Sequence, residues 1–163
     1  MLYFAYGSNM SAARLTSRIP SARLVHIAAL TWHELRFHKI GRDGTGKCDA
    51  FHTGKEADSI MGAVYKIDPA AKEILDGIEK WYEPKEVEVV TAIGEKVRAF
   101  TYCAVRINEE LRPYDWYMHH VVAGANEHGF SEDYIEQVKA IEVIEDTDLS
   151  RREMELSVYR DEI

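Results

Sequence analysis

The sequence predicts an α+β fold, a small, largely antiparallel β-barrel or curled sheet with flanking helices. Three observations point there. The runs Glu86 to Ala92 and Val97 to Val105 flank Ile93-Gly94-Glu95-Lys96 and read as a hairpin. The earlier strand-like runs do not alternate with helices in the spacing of βαβ units. The strongest helical patterns are grouped late, as expected for helices packed against an antiparallel sheet.

In chain order, Leu2 to Tyr6 is a short apolar strand that breaks at Gly7-Ser8-Asn9, and helical sequence runs from Met10 to Arg18. Leu24 to Ala28 and Thr31 to His38 read as strands, and Ile40 to Ser59 as a mobile surface loop placed to cover a pocket. Ile60 to Ile67 is a further strand. Asp68-Pro69 then opens a helix, with Asp at the cap and Pro at the first helical position. Its stripe is Ile74, Leu75 and Ile78, while Lys72, Asp76 and Lys80 follow each other along a charged face. Pro113 starts the next helix and Gly129 stops it. A second late helix carries Tyr134, Ile135, Val138 and Ile141, and an amphipathic tail occupies Leu149 to Tyr159.

Composition narrows the function. A length of 163 residues with 46% apolar and 10% aromatic content suits one domain, 1–163, with a substantial core. A net charge of -8 without a basic stripe argues against a nucleic-acid or anionic-membrane surface. No apolar run approaches a membrane span, and Met-Leu-Tyr-Phe-Ala lacks the features of a signal peptide. Two cysteines, Cys48 in a glycine-rich stretch and Cys103 in a strand pattern, make no disulfide framework, so reduced thiols and a cytoplasmic location are expected.

Two motifs are decoys. Gly41 to Lys47 fits Gly-x-x-x-x-Gly-Lys, but Cys48 stands where Ser or Thr would hold magnesium, and no helical period follows. The histidines give no chelate. His119 and His120 are adjacent and point to different sides of a helix, His33 and His38 are out of phase on a strand, and Cys48 with His52 lacks a second pair, so no metal is expected. No serine or cysteine stands in a nucleophile elbow.

Chemistry is concentrated where the first strand breaks. A strand ending in Gly7-Ser8-Asn9 before a helix leaves several backbone N–H groups converging on one spot suited to a carboxylate or an oxyanion. Alone, the junction is better explained by Asn9 capping the helix and Gly7 making the bend. Glu79 lies four residues after Leu75, so its carboxylate projects from the edge of the buried face. Partial desolvation and the negative end of the helix dipole should raise its pKa above its ordinary value.

Four stretches in the same order resemble the γ-glutamylcyclotransferase family. They are Tyr3-Phe4-Ala5-Tyr6-Gly7-Ser8-Asn9, the Leu75-Asp76-x-x-Glu79 segment, Gly124-Ala125-Asn126-Glu127-His128-Gly129, and Val138-Lys139-Ala140-Ile141. The resemblance implies Glu79 as general acid/base, and substrate-binding roles for Tyr3, Phe4, Ala5, Tyr6, Gly7, Ser8, Asn9 and Tyr117. Without it, Tyr117 would read as a core aromatic. It further implies conversion of a small γ-glutamyl substrate to 5-oxoproline without a cofactor. Ala-Tyr-Gly-Ser-Asn, where glutathione-specific relatives tend to carry Gly-Tyr-Gly-Ser-Leu, favours the branch acting on γ-glutamyl amino acids. Lys80 departs from the glycine that usually follows the catalytic glutamate. The alternatives are a γ-glutamylamine cyclotransferase and a non-catalytic binding module of the same fold. A two-fold homodimer is a plausible assembly, that being the commonest oligomer.

Overall fold

The protein is described by a computed structural model covering residues 1–162, with side chains through residue 160. Five strands close a barrel: β1 (Leu2–Ala5), β5 (Ser59–Lys66), β2 (Arg23–Thr31), β6 (Tyr82–Thr91) and β7 (Lys96–Ala104), in that order round the wall. Closure comes from the parallel pairing of Tyr3 with Phe100, and every other strand pair is antiparallel. β5 lies between β1 and β2, so both its edges are paired, and Ile60, Ala63, Val64 and Tyr65 are all buried. β6 and β7 form the expected hairpin, turning through Gly94 at φ +79°, a conformation that glycine adopts without strain. Phe4, Leu75, Val89 and Val121 complete the centre of the core.

Four local expectations are corrected. The first helix is α1 (Ala12–Arg18), preceded by a single 3₁₀ turn, Ser8–Met10, closed by the Met10 N–H on Gly7 O at 3.0 Å. Its cap is Ser11, whose hydroxyl accepts from the Arg14 N–H at 3.3 Å, and not Asn9. The second helix, α2 (Pro69–Ile78), ends one residue before Glu79. Asp68 holds its N-cap position without a side-chain capping bond.

The third correction concerns Ile40 to Ser59, which is not a surface loop throughout. Gly46–His52 forms β4, paired with β3 (His33–Ile40) in a second, two-stranded sheet. Polar groups hold this strand, so it lacks an apolar signature. Asp49 accepts from the Ala104 N–H of β7 at 2.7 Å and pairs with His38 Nε2 at 2.8 Å. Gly46 makes the close approach possible, since a Cβ there would lie 2.1 Å from Phe37 O.

The late helices are α3 (Asp115–Glu127), α4 (Glu132–Lys139) and α5 (Leu149–Leu156), the last running into a 3₁₀ turn. As the fourth correction, α3 starts two residues after Pro113, because Tyr114 is held extended in a bridge with Ile144, and Ile141 falls beyond α4. Gly129, at φ +68°, separates α3 from α4 as expected. Among the described residues no helix is long and apolar enough to cross a membrane.

α3 lies directly on the 3₁₀ turn. A Cβ at Gly124 would sit 2.6 Å from Met10 Cβ and 2.7 Å from the Ser11 nitrogen, both fixed close to the backbone. Gly124→Ala is therefore expected to destabilise the protein by about 1–3 kcal/mol through overpacking. Urea unfolding checks this, as an earlier midpoint at unchanged slope.

Candidate active site

β1, the 3₁₀ turn, the end of α2, β4 and α3 converge on a narrow, half-open cavity. Its wall includes Gly7, Ser8, Asn9, Cys48 and Glu79 together with five tyrosines, Tyr3, Tyr6, Tyr82, Tyr102 and Tyr117. Strand alternation explains the first contribution. Tyr3 reaches the cavity, whereas Phe4 is completely buried and its ring lies against Gly62. Phe4 and the buried Ala5 thus do not line the cavity, in contrast to the roles the sequence suggested for them. The other motif residues and Tyr117 do line it.

Asn9 ties the distant segments together. Its Nδ2 donates to Glu79 Oε1 at 2.9 Å and to Tyr3 Oη at 3.1 Å, and its Oδ1 accepts from Arg18 at 3.0 Å. The arginine fixes which way round the amide sits, because only a carbonyl oxygen can accept from it. This network, rather than helix capping, occupies the Asn9 side chain.

Glu79 sits where α2 ends. Its N–H still bonds Leu75 O at 2.8 Å, but φ -82° and ψ 58° take the chain out of the helix. The turn that follows holds Trp81 at φ +62°, a costly conformation for a bulky side chain. The direction of the carboxylate is therefore set by this exit turn and by Asn9, not by a helical face. Burial raises the Glu79 pKa above its ordinary value of 4.5, against the opposing pull of Arg18, the Asn9 hydrogen bond, Lys39 and Arg14. The residue retains partial exposure, as befits a group at a cavity mouth.

Tyrosine hydroxyls hold β4 against the cavity. Tyr117 Oη accepts from the Cys48 N–H at 3.0 Å, and Tyr82 Oη donates to Cys48 O at 2.5 Å. Tyr6 Oη donates to Tyr102 O at 2.5 Å, and Tyr102 Oη donates to Asp76 Oδ1 at 2.6 Å. Burial pushes the Cys48 thiol up to about 12 and that of Cys103 up to about 11, so neither is a thiolate near neutral pH.

Sequence reasoning missed Tyr82, Tyr102 and Cys48 as cavity residues, and Arg18 as the group that orients Asn9. Tyr82 had one available signal, its place three residues after Glu79. Tyr102 and Cys48 arrive only through β7 and β4. The cavity opens into a wider, solvent-open vestibule, sharing Ser8, Glu79, Tyr82 and Tyr117 with it. Arg14 and Glu155 meet on its wall at 2.5 Å, joining the C-terminal helix α5 to α1. Among the described residues no group of three or more His, Cys, Asp or Glu side chains could hold a metal ion.

A family model described as the AIG2-like family matches residues 59–138. A human protein named gamma-glutamylcyclotransferase is 31% identical over 151 residues, covering 86% of this chain and 78% of the human one. Its bovine namesake is 30% identical with the same coverage. A solved structure named gamma-glutamyl cyclotransferase superposes with a TM-score of 0.83 at 29% identity, covering 90% of each chain.

Proposed function

The chain belongs to the γ-glutamylcyclotransferase family, and from that premise we propose that it converts γ-glutamyl amino acids or peptides to 5-oxoproline and the free amino acid or peptide, with Glu79 as general acid/base. One observation carries the reading: the Glu79 carboxylate, supplied from mid-chain, is hydrogen-bonded at 2.9 Å to Asn9 of the N-terminal turn, across a cavity walled by tyrosines.

The chemistry follows from the substrate. Its own α-amine is the nucleophile and attacks the γ-carbonyl carbon, closing a five-membered ring, so the protein needs to supply neither a nucleophile nor a cofactor. That amine is protonated near neutral pH and must first lose a proton. Glu79, with its raised pKa, takes a proton from the attacking nitrogen and delivers one to the leaving nitrogen as the γ-amide C–N bond breaks. Holding the bent conformer adds to this, since well-oriented ring closures reach effective molarities of roughly 10⁵ M or more.

The N–H groups around Gly7, Ser8 and Asn9 hold the substrate carboxylate or the developing oxyanion, and each is worth on the order of 3 kcal/mol in the transition state. Tyr117 and Tyr3 wall the glutamyl portion. We propose that residues 1–163 act as one unit in the cytoplasm, with a two-fold dimer as the assembly that light scattering would test.

Incubation of the purified protein with γ-glutamyl-alanine and related peptides should release 5-oxoproline, detected by chromatography. No 5-oxoproline from a panel of γ-glutamyl amino acids, peptides and amines would end the proposal. Binding of 5-oxoproline without turnover would favour a non-catalytic module instead.

A further inference from the structure

The vestibule outside the cavity is rich in cations, although the chain as a whole carries a net charge of -8. Several of these cations are already neutralised. Lys47 pairs with Asp43 at 2.8 Å, Arg14 with Glu155 at 2.5 Å, and Arg151 with Asp146 at 2.6 Å. Lys39 and Arg42 also line the vestibule, and among the described residues no carboxylate comes within ion-pair distance of either.

Lys39 is the unusual member. It is only 4% exposed, and its ammonium rests over the Tyr82 ring at 4.2 Å, with the Trp81 ring 5.8 Å away. A β-bulge puts it there. Arg36 pairs with Asp49 and Lys39 with Lys47, so β3 carries one extra residue between these pairs. The bulge leaves His38 on Asp49 and turns Lys39 towards Tyr82, at the opening where Glu79 stands. Glu79 is the foremost carboxylate acting on this ammonium but makes no ion pair with it, and a buried ammonium that lacks a bonded counter-ion beside an open vestibule is placed to receive an anion.

We propose that Lys39, assisted by Arg42, is the subsite for a carboxylate on the leaving portion of the substrate. It thereby selects γ-glutamyl conjugates whose departing amine bears an anionic group close to the scissile amide. This rests on the cyclotransferase reading and names the feature of the leaving group that the site recognises. Burial lowers the Lys39 pKa to about 8, so the ammonium is still largely charged at neutral pH.

The test compares γ-glutamyl-alanine with γ-glutamyl-alaninamide, two substrates that differ in the charge of the leaving group. Wild-type protein should show a kcat/KM ratio favouring the carboxylate by about tenfold or more, as expected of a charge-assisted contact. Lys39→Met keeps the stem over Tyr82, and should bring that ratio close to one. Lys39→Arg should restore most of it.

A wild-type ratio near one overturns the subsite, and needs no variant to fold. A Lys39→Met protein that loses activity equally on both substrates also overturns it, since Lys39 would then act only through the field at Glu79. Absence of 5-oxoproline from both substrates with wild-type protein instead overturns the cyclotransferase reading on which the subsite depends.

Discussion

Glu79→Gln is expected to lower kcat by about 10²- to 10⁴-fold, the range for loss of a positioned general acid/base. The substitution preserves size, and the glutamine Oε1 can still accept from Asn9 Nδ2, so the network around the 3₁₀ turn has no reason to collapse. What disappears is proton exchange. Because burial raises the carboxylate's pKa, the acid limb of the wild-type kcat/KM profile should lie above the ordinary value of 4.5, and it should vanish in the variant.

The same shift makes a prediction of opposite sign for stability. A carboxylate whose pKa is raised by folding binds its proton more tightly in the folded state. Its stabilising contribution is present below the unfolded pKa and is lost as pH rises through the folded one. At neutral pH the ionised Glu79 therefore opposes folding, and Glu79→Gln should melt at a higher temperature than wild type. Full retention of rate in a folded Gln variant would remove Glu79 from the mechanism.

Gly7→Ala is the second large effect, and it arises from space rather than chemistry. A Cβ at Gly7 would lie 2.8 Å from Cys48 Cβ and 3.2 Å from its Sγ. A Cβ cannot rotate away, and the Cys48 backbone is held on both sides by Tyr117 and Tyr82. The turn carrying Ser8 and Asn9 must shift instead, and Asn9 with it.

Overpacking of this kind costs about 1–3 kcal/mol, seen as an earlier urea midpoint. A displacement near 1 Å of the groups that hold substrate can cost about 10²-fold in turnover. Cys48→Gly removes both opposing atoms, so the Gly7→Ala/Cys48→Gly double variant should recover part of the activity, a non-additivity expected of residues in contact. Simple additivity of the two single losses would show that the clash is not the cause.

Much of the architecture was readable along the chain. The barrel strands announce themselves by apolar runs and the hairpin by its turn residues, because local periodicity reports burial directly. The second sheet was not readable, since β4 is held by Asp49 bonded to Ala104 and His38 and by close approach at Gly46. None of these leaves a period in the sequence. Lys39 was invisible for a related reason. A bulge in β3 puts it beneath Tyr82, and nothing local separates it from an ordinary surface lysine.

By itself the sequence determined the fold class and the family, and it singled out Glu79 and the Gly7-Ser8-Asn9 turn as candidates, because each is written in contiguous motifs and spacings. Only the tertiary structure decided how they meet. Asn9 faces Glu79 instead of capping a helix, five tyrosines from separate elements wall one cavity, and Lys39 stands without an ion-pair partner in the vestibule outside it. These are relations between segments far apart in the chain, and they exist only when barrel closure and the docking of β4 and α3 bring those segments within hydrogen-bonding distance.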